Sequence, residues 1–314
     1  METKHKPVLL DSVIELLNPE ANQNFIDCTL GGGGHAEAIL EKTGPNGKLL
    51  GFDWDSEAVR MSGERLIQYK KRTIFVNESY TKIKEVVYDK KFDKVSGVLV
   101  DLGLSSDQLQ VSGRGFSFQL VEALDMRFNP DETELTASEI VNKWPKSRIK
   151  QMLFDNADEK FASRISEAID MSRREKPIET TLELCEVVRK AVPAPRTRIN
   201  PATKTFQALR MEVNSELENT RQILNDAIEV LEPGGRLAVI TFHSIEDRIV
   251  KQYFKKESRE CICPREIPEC RCGHKIRLKL ITKKPIKPTT EEITENPRTR
   301  SAKLRVVEKV SGEW

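Results

Sequence analysis

Asn24-Phe-Ile-Asp-Cys-Thr-Leu-Gly-Gly-Gly-Gly-His35 sets an apolar run, with an acid inside it, directly ahead of four glycines and a helical pattern. The run Asn24–Leu30 reads as a buried strand, and about His35–Lys42 as the helix that follows it. Glycine at a strand-to-helix turn reaches positive φ and has no Cβ to keep a ligand off the main chain. This stretch therefore predicts the first strand–turn–helix unit of an open α/β sheet that binds a ligand at its strand ends.

The same rhythm continues outward. Lys48–Asp53, Thr73–Asn77 and Val95–Asp101 read as strands, with helices between them at Ser56–Tyr69 (Ser56 as N-cap) and near Thr81–Tyr88. Short apolar strands alternating with helices imply a parallel sheet covered on both faces. After Asp101 the rhythm stops. From about Gln108 to Gln207 only helical segments appear, at Ala137–Trp144, Ser147–Phe154, Phe161–Arg174 and Thr181–Ala191. It resumes with a helix at about Glu212–Leu231, the turn Glu232-Pro-Gly-Gly235, the strand Arg236–Phe242 and a helix at Ile245–Lys256. Two β-rich stretches, Lys275–Thr282 and Lys303–Val307, close the chain. The expected organisation is a doubly wound domain in two parts, residues 1–107 and 208–314, interrupted by a helical insertion at 108–207.

Ligands of open α/β sheets lie beyond the carboxyl ends of the strands. Asp53 ends the second strand, where a carboxylate can accept two ribose hydroxyls, and Asp101 ends the fourth. The glycines alone do not choose the ligand, because Gly31-x-Gly33-x-x-Ala36 also satisfies the dinucleotide fingerprint of NAD enzymes. The later half separates the two. A helix, then Leu231-Glu-Pro-Gly-Gly-Arg-Leu-Ala-Val-Ile240, then two closing strands resembles the Rossmann-like class I methyltransferase fold, whose sheet ends in an antiparallel hairpin that dehydrogenases lack. That resemblance implies S-adenosylmethionine.

Composition narrows the setting. A chain of 314 residues, 38% hydrophobic and 32% charged, is long enough for a large α/β domain with an inserted smaller one. No apolar run approaches the roughly 20 residues that span a bilayer, and Met1–Pro7 lacks the apolar core of a secretory signal, so a cytoplasmic protein without membrane contact is expected. Net charge is only +2, yet from Asp247 to Val310 there are 18 Lys and Arg against 9 Asp and Glu. Such asymmetry suits an anionic partner approached from one side, or simply a solvated charged face.

Eight stretches together now resemble one methyltransferase family. They are His5-Lys-Pro-Val-Leu-Leu10, Asp27-Cys-Thr-Leu-Gly-Gly-Gly-Gly-His35, Asp101-Leu-Gly-Leu-Ser-Ser106, Arg114-Gly-Phe-Ser-Phe118, Leu124-Asp-Met-Arg127, Ala202-Thr-Lys-Thr-Phe-Gln207, Phe242-His-Ser-Ile-Glu-Asp-Arg248 and Asn296-Pro-Arg-Thr-Arg-Ser301. In this order, over nearly the whole chain, they are similar to the bacterial ribosomal RNA small-subunit methyltransferase H family, also called MraW. The resemblance implies methylation of the N4 amine of a cytidine in 16S ribosomal RNA near the decoding centre, with 16S rRNA or the small subunit as partner. It implies an all-helical insertion for substrate recognition and cofactor contacts at Gly33, Gly34, His35, Asp53, Asp101 and Gln108. Tyr80 stands where relatives often carry Phe, and keeps a ring to pack on adenine.

A cytosine amine is a poor nucleophile because its lone pair is delocalised into the ring. Attack on a sulfonium methyl then depends on alignment and on acceptors for the N–H groups. Many DNA amino-methyltransferases use an Asn/Asp/Ser-Pro-Pro-aromatic motif after strand four, and this chain has Asp101-Leu-Gly-Leu-Ser-Ser106 instead. Asp101 is expected to border donor and amine, with His243 and Ser244 approaching from the end of strand five. A lone histidine there is as readily a structural one, and Asp247 with Arg248 a local pair. For RNA phosphates, Arg196 and Arg198 in a proline-stiffened loop, Lys204, Arg298 and Arg300 are the candidates, against a solvated linker. Phe116 and Phe118 could stack a base or anchor the insertion. Cys261-x-Cys263 and Cys270-x-Cys272 supply four thiolates that suit tetrahedral zinc; packed reduced thiols are the alternative, and disulfides come last in a reducing compartment.

Overall fold

A computed structural model describes residues 7–103, 113–193, 200–264 and 269–310, with the backbone alone described at Arg298. The chain divides into two compact units, Met1–Gly103 with Thr220–Trp314, and Leu104–Asn219.

The first unit is built on seven strands: β1 (Asn24–Asp27), β2 (Leu49–Phe52), β3 (Thr73–Val76), β4 (Val95–Asp101), β5 (Leu231–Thr241), β6 (Leu278–Leu280) and β7 (Lys303–Lys309). Their order is β3-β2-β1-β4-β5-β7-β6. The first five are parallel, and β7 runs antiparallel to both β5 and β6. This is the Rossmann-like class I methyltransferase sheet, closing hairpin included. Strand order reverses between β1 and β4, so the crevice lies beyond Asp27 and Asp101.

Alternation places neighbouring side chains on opposite faces. On one face Ile26, Val98, Val100, Leu237 and Val239 pack against Ile223, Leu224, Ala227 and Ile228 of α10 (Glu216–Val230) and Val250 and Phe254 of α11 (Ser244–Glu257). On the other face Phe25, Leu49, Leu99, Ala238 and Ile240 meet Val13 and Leu17 of α1 (Leu10–Leu17) and Ala36, Ile39 and Leu40 of α2 (Gly34–Lys42). At nine residues α2 is too short to persist alone, where about 12–15 are needed. Each buried Leu, Ile or Phe contributes roughly 1.5–3 kcal/mol, so packing on the sheet holds the helix. Two further helices follow β2 and β3: α3 (Ser56–Arg65) and α4 (Ile83–Asp89). The N-cap of α3 is Asp55, whose carboxylate accepts from Glu57 N; Ser56 is already the first helical residue.

The second unit is helical among its described residues: α5 (Ala137–Lys143), α6 (Lys146–Ala157), α7 (Ala162–Glu175), α8 (Thr181–Ala191) and α9 (Thr203–Val213). Ile140, Leu153, Ile165, Leu184, Phe206 and Leu209 belong to its separate core. It runs on to Asn219 because α9 buries Phe206, Ala208, Leu209 and Val213 there. The single helix expected near Glu212–Leu231 is two, broken where Ser215 takes φ 50°. Asn214 fixes the break: its side chain accepts from Phe128 N at 2.8 Å and donates to Met126 O at 2.7 Å. Among the described residues no helix is long and apolar enough to cross a membrane.

Candidate functional site

Three carboxylates stand at the carboxyl ends of adjacent parallel strands. Asp27 ends β1 and is 1% exposed. Its Oδ1 accepts from Thr29 N at 3.0 Å, and its Oδ2 has no partner. Asp53 follows β2, with Oδ2 accepting from Gly31 N and Oδ1 from Asp55 N, each at 2.9 Å, and a further main-chain hydrogen bond from Trp54. A carboxylate offers about four lone-pair sites, so acceptor capacity remains for a ligand hydroxyl. Asp101 ends β4 and accepts from Gly103 N at 3.1 Å, while its own N–H goes to Thr29 Oγ1 at 2.8 Å. Thr29 thus ties the ends of β1 and β4 together.

Burial raises all three acids, Asp27 and Asp101 to about 7 and Asp53 to about 6. Asp27 also feels the charges of Asp101 and Asp53, and Asp101 that of Glu246. No cation among the described residues pairs with any of them. A cluster of this kind suits a ligand that carries positive charge and hydroxyl groups.

The glycine turn supplies the floor. Gly31 and Gly33 have φ 48° and 73°, in the left-handed region. A Cβ on Gly31 or Gly32 would meet nothing within 4 Å, so this edge of the main chain opens onto space that a ligand can occupy. Gly34 has a different reason to be glycine, because a Cβ there would collide with the Pro7 ring. His35 is buried at the start of α2, its Nε2 2.9 Å from Val8 O. Its ring thereby ties down the segment ahead of α1. Tyr80 lies in a short turn of 3-10 helix after β3 and packs against the core on the α10 side of the sheet.

At the end of β5, His243 is the N-cap of α11. Its Nδ1 accepts from Glu246 N at 3.4 Å, and its Nε2 lies 2.8 Å from Glu246 Oε1, within ion-pair range but outside hydrogen-bonding geometry. Glu246 is 1% exposed and its Oε2 accepts from Phe242 N at 3.1 Å. The His243 ring thus caps the helix from its side chain, while the Glu246 carboxylate reaches back one residue further, to the main chain of Phe242. Ser244 is exposed. Asp247 is held from across the sheet, accepting from Lys303 Nζ at 3.0 Å and Arg305 Nε at 2.7 Å.

Asp27 and Glu246 were not singled out from sequence. Both carried a signal: an acid at the end of an apolar strand in the same crevice as Asp101, and an acid three residues after a helix cap. Gln108, Arg196 and Arg198 lie outside the described residues, as does the side chain of Arg298. Arg300 is exposed, and so is Lys204, whose Nζ donates to Asp158 O at 2.8 Å. Phe116 and Phe118 anchor the helical unit, the first stacked on Phe128 and the second edge-on to Phe206, each at 5.6 Å.

The four clustered cysteines lie between α11 and β6 and are all free thiols. Their sulfur atoms lie within 4.8 Å of one another.

The profile of the MraW methylase family matches residues 2–310. A ribosomal RNA small subunit methyltransferase H from Finegoldia magna is 45% identical over 99% of this chain and 100% of its own length. A protein of the same name from Carboxydothermus hydrogenoformans is 46% identical over 99% of each chain. Among solved structures, a putative rRNA-methylase from Clostridium thermocellum aligns with 96% of this chain and 95% of its own, at 13% identity and a TM-score of 0.44.

Proposed function

This chain belongs to the MraW methylase family, and on that premise we propose that it methylates the N4 amine of a cytidine in 16S ribosomal RNA, near the decoding centre of the small subunit, in the cytoplasm. The methyl donor is S-adenosylmethionine, which supplies an electrophilic methyl on a positive sulfur. The observation that carries the reading is the group of buried acids Asp27, Asp53 and Asp101, with no paired cation among the described residues, around an open glycine turn.

Each part of the donor has a complement in this chain. The Asp53 carboxylate accepts a ribose hydroxyl with its remaining acceptor capacity. Gly33, Gly34 and the first turn of α2 at His35 follow the main chain along the donor, Gln108 adds a further contact, and Tyr80 packs on adenine. Asp27 and Asp101 offset the positive charge, which also restores both to the ionised form that burial disfavours.

Asp101 has the second task of receiving an N–H of the amine. A carboxylate there holds the nitrogen lone pair on the donor side and takes up the proton released on transfer. His243 and Ser244 border the base from β5, with His243 acting through Glu246 and Ser244 presenting an exposed hydroxyl. The helical unit, with Arg196, Arg198 and Lys204, and the tail residues Arg298 and Arg300 meet RNA phosphates, leaving the pocket to select an unstacked base. No chemical step falls to the cysteine cluster.

The test is methylation of isolated small subunits with labelled donor, followed by mapping of the modified nucleotide. One N4-methylated cytidine is expected in 16S RNA. Label on another atom, or on DNA with none on subunits, would overturn the reading.

A further inference from the structure

The segment between α11 and β6 has no buried core of its own among the described residues. Among the described residues no side chain between Glu257 and Leu278 is buried. Its ends are fastened, with Arg277 N donating to Glu257 O at 2.9 Å and His274 Nε2 lying 3.2 Å from Lys256 O. Between those ends no fully buried apolar side chain among the described residues offsets the ordering entropy, about 1–2 kcal/mol per residue. Yet four thiols from two separate Cys-x-Cys pairs meet there.

All four sulfurs lie within 4.8 Å of one another, and two of the separations are those of one tetrahedral ion. Zinc–sulfur bonds of about 2.3 Å in a tetrahedron set neighbouring sulfurs about 3.8 Å apart. Cys270 Sγ and Cys272 Sγ lie 3.6 Å apart, and Cys272 Sγ and Cys261 Sγ 3.9 Å. Clusters of several irons interpose sulfide and spread their thiolates more widely. The main chain turns donors onto the sulfurs as well: Ile262 N donates to Cys272 Sγ at 3.5 Å, Cys263 N to Cys261 Sγ at 3.4 Å and Arg271 N to Cys263 Sγ at 3.4 Å. Such bonds favour thiolate over thiol and orient it for a metal.

We propose that Cys261, Cys263, Cys270 and Cys272 bind one structural zinc ion that staples the segment between α11 and β6. Protein sulfur fills all four positions, so no open position is left for water or substrate. Binding free energy goes into ordering the segment. The inference is independent of the methyl-acceptor assignment.

The full chain, purified without chelator, is expected to contain about one zinc per molecule, with X-ray absorption giving four sulfurs at about 2.3 Å. Stripping the ion with a chelator opens residues 259–276 to protease, and added zinc closes them again. Cys261→Ser with Cys272→Ser loses the metal, while Cys185→Ser keeps it. Should the double variant fail to fold, the metal content and sulfur count of the unaltered protein decide alone. Iron in place of zinc, fewer than four sulfur ligands, a disulfide, or four thiols that stay reactive in excess zinc would each overturn the proposal.

Discussion

His243 Nδ1 accepts the main-chain N–H of Glu246 at 3.4 Å, while the buried Glu246 carboxylate stands 2.8 Å from the opposite ring nitrogen. One ring thus caps α11 and faces the acid whose charge reaches Asp101. The arrangement makes His243 a positioning residue. His243→Asn keeps a good helix cap but leaves Glu246 without the ring beside it. The melting temperature should stay within about 4 °C. Single-turnover methylation should fall roughly tenfold, with donor affinity changing much less, because the ring sets the place of Glu246 beside the site. An unchanged rate would reduce the histidine to a cap.

Asp101→Asn separates acceptor chemistry from binding. The amide preserves shape and can still accept from Gly103 N, but it cannot take up a proton. Single-turnover methylation should drop by about 100-fold or more, with donor affinity changing less than about tenfold. A variant that methylates at the original rate would move the acceptor elsewhere.

The pH dependence of stability should oppose that of donor binding. Burial pushes Asp27 up to about 7, whereas an unfolded Asp titrates near 3.9. Between those values the folded protein keeps a proton that the unfolded chain has lost, so the unliganded fold weakens as pH rises, and the loss is complete above 7. A cationic donor prefers the ionised acids, so its Kd should tighten from pH 5.5 to 8. Asp27→Asn should stabilise the unliganded protein at pH 8 by about 1–3 kcal/mol and weaken the donor. Denaturant titrations at both pH values check the sign; a fold that strengthens with pH and is indifferent to Asp27→Asn would be the contrary result.

Two adjacent glycines should fail for different reasons. Gly33→Ala forces a Cβ onto φ 73° and to 3.1 Å from Ser62 Oγ, costing about 1–2 kcal/mol where the turn faces the donor. Gly34→Ala collides instead with Pro7, so Pro7→Gly in the same chain should recover melting temperature and donor affinity together. Pro7→Gly should do nothing for Gly33→Ala. Rescue of both or of neither would mean that the two glycines share one role.

The sheet was legible because burial on both faces leaves apolar runs no other reading, as in Val95–Asp101 and Arg236–Phe242. Its acids were legible only in part. Asp53 and Asp101 follow their strands visibly, but Asp27 sits inside a motif whose glycines draw the eye, and only the fold reveals that Thr29 joins it to Asp101. The break at Asn214–Ser215 has no glycine or proline to announce it, since it is made by hydrogen bonds to Met126 and Phe128, over 80 residues away. Asp247 reads locally as a partner of Arg248, whereas the antiparallel pairing of β5 with β7 brings Lys303 and Arg305 to it. Long-range pairing of this kind leaves no periodicity to detect.

Charge reversal at Arg196 and Arg198 tests how RNA is gripped, because phosphate contacts have a signature that pocket contacts lack. Each phosphate that a cation neutralises releases condensed counterions, so affinity falls with salt at a slope near 0.7–0.9 per contact on a log–log scale. If both arginines touch phosphates, Arg196→Glu with Arg198→Glu should flatten that slope by about 2 and weaken subunit binding most at low salt. Donor affinity should not change, since neither arginine is among the residues proposed to hold the donor. The position of the methyl group should not change either, since phosphate contacts place the RNA without reading it. A steady slope with lost affinity would instead assign these side chains to base recognition, and an unchanged affinity would leave the loop as a solvated linker.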